Sequence, residues 1–230
     1  MPDVSSPRLA FYDLDGTLVS SNIVTQYAFL ARQLPSRAKA AMRYTKVLAS
    51  VPLLVGLDFC SRRLFNEFFF REYKGMQQEW LRERSDALFE KLIRPTIYAG
   101  SPGLVAADRR EGYKTVLVTG TLDFVLHPVV RFFGFDHVIC NSLIYENGCA
   151  TGCVAEPLIA GKAKVAAMMA LMREHGADPS QAKAYSDSFS DLPMLEAVSH
   201  PAAVNPDRRL RRLARERGWP VLNLRENHVN

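Results

Sequence analysis

Short apolar runs alternate along this chain with longer segments in which hydrophobic residues recur at helical spacing. Residues 8–12 (RLAFY) form the first run, which is consistent with a buried strand. Later runs predict further strands, with helices and a hairpin between them. The strands are expected at 114–119, 137–140, 182–186 and 202–204, the hairpin at 145–154, and the helices at about 101–112, 123–133, 161–175 and 205–218. This order predicts an α/β fold, a doubly wound Rossmann-like parallel sheet.

A long segment after the first strand departs from this alternation. Ile23, Tyr27 and Leu30 recur there at helical spacing, behind a cap at Ser21 or Asn22. Three further features are expected to shape the segment: breaks at Pro35 and Pro52, a helix capped by Asp58, and a helix from about Met76 to Ile93. The sequence therefore predicts a core formed by residues 1–20 and 97–230, with an inserted all-helical cap at residues 21–96.

Oxygen-bearing residues stand where three of the expected strands end. Asp13 and Asp15 follow the first strand, Thr119-Gly120 closes the strand at 114–119, and Asp187 follows the strand at 182–186. In open α/β sheets, ligands bind beyond the carboxyl ends of the strands. We therefore expect these residues to converge on one site that can hold a metal and a phosphate.

Composition and charge indicate a globular protein and argue against membrane-spanning, zinc-binding and nucleic-acid-binding classes. The chain has 230 residues, 48% of them hydrophobic, with a net charge of +5 and a pI near 9.1, which suits a globular protein with an anionic substrate. The chain shows neither an apolar leader nor a membrane-spanning run, and its four cysteines lack paired zinc spacing, so a cytoplasmic protein is expected. Nucleic-acid binding ranks last, because the arginine-rich helix at 207–217 has no interleaved aromatic residues.

Four motifs together resemble those of the haloacid dehalogenase superfamily of aspartate-based phosphatases. They are DLDGT at 13–17, the pair Thr119-Gly120, a lysine early in the helix after the hairpin, and DSFSD at 187–191. The runs AYSDSFSDLPML and HPAAVNPDRRL are similar to the phosphoserine-phosphatase-like branch, subfamily IB. The resemblance covers nearly the whole chain and implies a hydrolase of phosphomonoesters.

The resemblance also implies a role for each motif residue. Asp13 is then the nucleophile that forms an aspartyl-phosphate, Asp15 the general acid–base, and Thr119 with Gly120 the phosphate-binding pair. Mg²⁺ is implied as the cofactor, held by the carboxylates of Asp13 and Asp187 and the backbone carbonyl of Asp15, with Asp191 acting from further out.

Two lysines compete for the position that neutralises the phosphate. The glycine before it favours Lys162, whereas the spacing to Asp187 in bacterial phosphoserine phosphatases favours Lys164, which we prefer. The two residues stand two positions apart on a helix, so they point in different directions. Only one of them can face the site.

The substrate is the least determined feature. Phosphoserine phosphatases carry a glutamate nine residues after the nucleophile, and Asn22 stands at that position here, so phosphoserine is doubtful. A small-molecule phosphomonoester is expected. The apolar segment 47–57 (VLASVPLLVGL) is expected to be cap core, with a lipid phosphate or a peripheral membrane contact as the alternative. Two other functions stay open, a phosphotransferase or phosphomutase with the same chemistry, and a catalytically idle phosphate-binding domain.

Overall fold

The computed structural model describes the backbone of residues 6–225, and the side chains of that range except at 39, 51–55 and 57–60. In chain order, its strands and helices are β1 (Arg8–Tyr12), α1 (Ile23–Arg32), α2 (Arg37–Cys60), α3 (Arg62–Phe70), α4 (Gln78–Glu83), α5 (Ser85–Leu88), α6 (Ser101–Arg110), β2 (Tyr113–Leu122), α7 (Asp123–Phe133), β3 (His137–Asn141), β4 (Leu143–Glu146), β5 (Cys149–Val154), α8 (Lys162–His175), β6 (Lys183–Ser186), α9 (Leu192–Glu196), β7 (His200–Val204), α10 (Arg208–Glu216) and β8 (Val221–Leu222).

Six strands pair in parallel in the order β3-β2-β1-β6-β7-β8, and β4 pairs with β5 in a separate antiparallel hairpin. The hairpin turns at Asn147 and Gly148, both with positive φ. The sheet is buried on both faces because the side chains of β1 alternate between two cores. Ala10 and Tyr12 belong to one core, and Leu9 and Phe11 to the other. The predicted α/β class and doubly wound parallel sheet are therefore confirmed.

Several boundaries differ from the sequence predictions. β2 does not end at Thr119 but continues to Leu122. Pro52 does not interrupt the chain, since α2 runs through it, and Ser61 rather than Asp58 caps α3 by accepting a hydrogen bond from Leu64 N–H. The single helix expected over 76–93 is divided into α4, α5 and a π-helical turn at Phe89–Ile93. The breaks within 76–93 leave Leu81, Leu88 and Ile93 buried, so the apolar pattern of this run does not reveal them.

The two ends of the segment 21–96, hereafter the insert, lie side by side. The backbone N–H of Ser20 donates to Thr96 O at 2.8 Å, and that of Tyr98 donates to Leu18 O at 3.0 Å. Val19 and Ile97 form an antiparallel bridge between them. The chain thus leaves and re-enters the sheet region at one point. This pairing agrees with the predicted division between core and insert, which remains a prediction.

The hairpin of β4 and β5 touches the insert through its backbone. Gly75 N–H donates to Ala150 O, and Ala150 N–H donates to Met76 O, both at 2.8 Å. Of the helices the structure describes, none is both long enough and apolar enough to cross a membrane. In the apolar segment 47–57, Val47 is buried and Leu48 is exposed, while side chains 51–55 and 57 lie outside the described residues.

Candidate active site

Asp13 directly follows β1, which lies between β2 and β6 in the sheet. At β1 the strand order reverses, because the earlier neighbours lie on one side of it and the later ones on the other. The Asp13 side chain is buried, and Lys164 Nζ donates to Asp13 Oδ1 at 2.7 Å. The same ammonium donates to Asp191 Oδ2 at 2.9 Å, and Ser186 Oγ donates to that oxygen at 2.9 Å. The ammonium therefore joins two carboxylates that are 178 positions apart in sequence.

Lys162, the other candidate lysine, is exposed and is the first residue of α8. Lys164 lies on the buried side of that helix, in line with Met168 and Met172. The i, i+4, i+8 spacing of these three residues places them on one helix face. The structure therefore brings Lys164, and not Lys162, to Asp13.

Thr17 links the aspartate after β1 to the aspartate after β6. Its hydroxyl oxygen lies 3.2 Å from Asp13 Oδ2 and 2.9 Å from Asp187 Oδ1, and it accepts a hydrogen bond from the Asp187 N–H. Gly16, just before it, has φ +89°, and a Cβ built there would lie 2.2 Å from Asp187 Oδ2. Only glycine allows the backbone both this conformation and this approach.

Asp15 is half-buried and held by two donors. Thr121 Oγ1 donates to its Oδ2 at 2.8 Å, and Gln26 Nε2 donates to its Oδ1 at 3.2 Å. Neither donor belongs to a sequence motif. Gln26 could have been noticed, because it is a polar residue on the buried face that Ile23, Tyr27 and Leu30 give to α1.

Thr119 and Gly120 lie inside β2, where its pairing with β3 shifts register between Val118 and Leu122. Asn141 bridges this irregular stretch: its Nδ2 donates to Gly120 O at 2.8 Å, and its Oδ1 accepts from Ile159 N–H at 2.7 Å. Thr121 N–H in turn donates to Thr119 Oγ1 at 3.1 Å. Asn141 thus fixes the backbone beside Gly120, and no sequence motif pointed to it.

All the predicted site residues line one cavity of about 460 Å³. The core contributes Asp13, Asp15, Thr119, Gly120, Lys164, Asp187 and Asp191, and the insert contributes Ser21, Asn22, Ile23, Val24, Thr25, Arg62, Phe65 and Asn66. The sequence did not point to the residues of α3 in this set. The cavity therefore has a wall rich in carboxylates and an opposite wall formed by α1 and α3.

The carboxylates of the core wall hold more negative charge than their surroundings balance. Burial raises the pKa of Asp13, although Lys164 opposes that shift. Burial also raises the pKa of Asp15 to about 7 and that of Asp187 to about 8, and the nearby charge of Asp13 adds to both shifts. Such a site favours an added cation.

The donor set fits magnesium. Among the described residues, no three acidic, histidine or cysteine side chains are grouped so as to hold a metal ion by themselves. Mg²⁺ is usually bound by one or two carboxylates, with water and substrate phosphate completing its shell. Asp13 and Asp187, both within 3.2 Å of the Thr17 hydroxyl, supply such a pair.

Asn22 has a structural task that the sequence comparison did not reveal. Its Oδ1 accepts from Val24 N–H at 3.0 Å and from Thr25 N–H at 3.1 Å, so the side chain caps α1. Asn22 therefore satisfies the first turn of a helix at the position where phosphoserine phosphatases carry a glutamate.

Comparison with known proteins places the chain among hydrolases. The haloacid dehalogenase-like hydrolase family matches residues 10–196. A probable phosphatase of Mycobacterium tuberculosis is 33% identical over 227 residues, which cover 96% of this chain and 78% of that protein. The histidinol-phosphatase of Neisseria meningitidis is 30% identical over 226 residues, which cover 95% of this chain and 99% of that protein.

Two solved structures have a similar fold. A protein of unknown function from Bordetella pertussis superposes with a TM-score of 0.81 at 29% identity, covering 96% of this chain and all of that one. Phosphoserine phosphatase in its apo form superposes with a TM-score of 0.70 at 17% identity, covering 96% of this chain and 94% of that one. The chain therefore belongs to the haloacid dehalogenase-like hydrolase family, as a phosphatase.

Proposed function

We propose that this protein is a Mg²⁺-dependent hydrolase of small-molecule phosphomonoesters that acts through an aspartyl-phosphate on Asp13. One observation carries the proposal: Asp13, bound to Lys164, shares a single cavity with Asp15, Thr119 and Gly120. A nucleophile, a general acid–base and several hydrogen-bond donors for phosphate oxygens are thereby within reach of one ligand.

In the first step a carboxylate oxygen of Asp13 attacks phosphorus, and the bond from phosphorus to the ester oxygen breaks. The departing oxygen takes a proton from the carboxyl group of Asp15. Gln26 and Thr121 hold that carboxyl group at the cavity. Lys164, Thr119 and the Gly120 N–H bind the phosphoryl oxygens, which keeps the phosphorus in line with Asp13.

In the second step water replaces Asp13 on phosphorus. Asp15, now ionised, takes a proton from the water, the new oxygen bonds to phosphorus, and the bond from phosphorus to the Asp13 oxygen breaks. Inorganic phosphate leaves, and both aspartates return to their starting states. Asp191 keeps Lys164 in position throughout, since its Oδ2 accepts from the ammonium and is itself held by Ser186 Oγ.

Mg²⁺, held by the carboxylates of Asp13 and Asp187 and by the backbone carbonyl of Asp15, would neutralise phosphate charge when bound. An anion that attacks a dianionic phosphate meets a repulsion of about 4 kcal/mol per unit charge pair at about 4 Å and an effective dielectric constant near 20. Lys164 offsets part of that repulsion, but it is already shared between Asp13 and Asp191. The raised pKa of Asp187 supports the same need for a cation.

The insert, as the proposed cap, would choose the leaving group. Among the described residues that it contributes to the cavity, Arg62 is the charged one and none is acidic. An ammonium group on the substrate would find no carboxylate there. We therefore expect neutral or anionic leaving groups to be preferred over that of phosphoserine.

Hydrolysis of p-nitrophenyl phosphate by the purified protein tests the proposal. Activity should require Mg²⁺ and disappear with EDTA, and acid quenching during turnover should trap phosphate on the protein. Asp13→Asn should abolish both signals, with Lys162→Ala as a matched control that retains them. An active Asp13→Asn variant would show that Asp13 is not the nucleophile.

The rival functions predict other results. A phosphotransferase would move phosphate to an added alcohol faster than to water, and an idle binding domain would bind phosphate without turnover. The lipid alternative predicts a preference for lysophosphatidate over sugar phosphates and pelleting with anionic vesicles. The lipid alternative is wrong if the protein neither prefers lysophosphatidate nor pellets with the vesicles.

A further inference from the structure

Asn66 is a buried polar residue on the insert, and only 1% of its surface is exposed. Its Nδ2 makes no hydrogen bond to any of the residues that the structure describes. The neighbours on the buried face of α3 are aromatic: Phe65, Phe69 and Phe70. A buried amide without a partner destabilises a protein, so its presence calls for an explanation.

The amide lies at the active-site cavity. Asn66 lines the cavity together with Asp13 and Gly120. A Cβ built on Gly120 would lie 3.2 Å from Asn66 Nδ2, so the amide nitrogen sits directly over the backbone of that glycine. This unpartnered donor is thus next to the pair that is proposed to bind phosphate.

We propose that Asn66 donates a hydrogen bond to a phosphoryl oxygen of the bound substrate. The inference rests on the proposed function and extends its phosphate site to the insert. A phosphoryl group offers several acceptor oxygens, and Lys164, Thr119 and Gly120 approach them from the core. The neutral amide adds a donor from the opposite wall.

This assignment has a consequence for recognition. The contact is made to the phosphate and not to the leaving group, so it contributes equally to every phosphomonoester and to inorganic phosphate. It also joins α3 to the core whenever phosphate is bound. The amide then gains the partner that it lacks in the ligand-free protein.

Binding of inorganic phosphate to Asn66→Leu, in the presence of Mg²⁺, tests the proposal. Leucine has nearly the size of asparagine but no donor. A hydrogen bond to a charged group accounts for about 10- to 100-fold in affinity, and we expect phosphate to bind the variant more weakly by that factor in calorimetry and in thermal shift. Without phosphate its melting temperature should equal or exceed that of the wild type, because the unpartnered amide is gone.

Ser85→Ala is the matched control. Ser85 Oγ is also buried without a partner among the described residues, but Ser85 does not line the cavity. Its removal should leave phosphate affinity unchanged. Asn66→Asp, which keeps the shape and places a carboxylate near the phosphate, should weaken binding further than Asn66→Leu.

Two outcomes would overturn the inference. Unchanged phosphate affinity in Asn66→Leu, with a higher KM for selected substrates, would place the contact on the leaving group. A lower melting temperature with an unchanged phosphate-induced shift would make Asn66 a packing residue. Because binding is measured without turnover, a wild type that binds phosphate but hydrolyses nothing would refute the proposed function and leave this inference standing.

Discussion

Replacing Lys164 with methionine removes a buried cation from between two carboxylates. Lys164 Nζ lies 2.7 Å from Asp13 Oδ1 and 2.9 Å from Asp191 Oδ2. The lysine side chain is 6% exposed and each aspartate side chain 8%, so water screens these contacts little. Removing one partner of a buried ion pair typically lowers the free energy of unfolding by about 3–5 kcal/mol, because the remaining charge is left uncompensated.

The size of this loss should depend on pH. Burial already raises the pKa of Asp13, and Lys164 is the largest influence that lowers it. In Lys164→Met the pKa of Asp13 rises further, so the folded variant binds a proton that the unfolded chain releases. Stability then falls as pH rises. Burial lowers the pKa of Lys164, but the charges of Asp13 and Asp191 raise it by more, so Lys164 stays charged in the folded wild type throughout this pH range.

Urea denaturation in EDTA at pH 5.5 and pH 8 measures the effect, with chelation preventing a metal from replacing the lost charge. We expect the difference between wild type and Lys164→Met to approach ~3 kcal/mol at pH 8 and to be smaller at pH 5.5. Lys162→Met, an exposed substitution on the same helix, should change stability by no more than about 0.5 kcal/mol. Equal losses for the two variants, or a loss that is independent of pH, would refute the buried ion pair.

Three other results are expected. Asp13→Asn should eliminate turnover while leaving the circular dichroism spectrum unchanged. Gly16→Ala should lower the free energy of unfolding by ~2 kcal/mol in urea denaturation and weaken Mg²⁺ binding in calorimetry, because the added Cβ would collide with Asp187. An unchanged free energy of unfolding would contradict the positive φ of Gly16. Asn22→Ala should lower the free energy of unfolding by about 1 kcal/mol through loss of the α1 cap, whereas an Asn22 that served only the substrate would leave stability unchanged.

The sheet and the motif residues could be predicted because their signals are local. The apolar run before Asp13 is a buried strand, and the motif after it needs no distant information. The choice between Lys162 and Lys164 required knowing which face of α8 is buried. The sequence indicates that face through Met168 and Met172, which lie four and eight residues after Lys164.

Residues that act through long-range contacts could not be predicted. Asn141 reaches Gly120 and Ile159 from the end of β3, and nothing in its neighbourhood in the sequence indicates those partners. Asn66 lies in an aromatic run whose spacing predicts only a buried helix face. A polar residue within such a face is a signal, but its meaning depends on which part of the core the insert covers.

The two walls of the cavity differ in the charged residues that line them. The core wall carries four aspartates and Lys164, a set that fits a metal and the transfer of a phosphoryl group. Under the proposed function the insert wall faces the leaving group, and among the described residues that it contributes to the cavity none is acidic. Substrates that differ only in an ammonium group should therefore differ in KM in the direction that penalises the ammonium, while kcat, which depends on the core wall, stays similar.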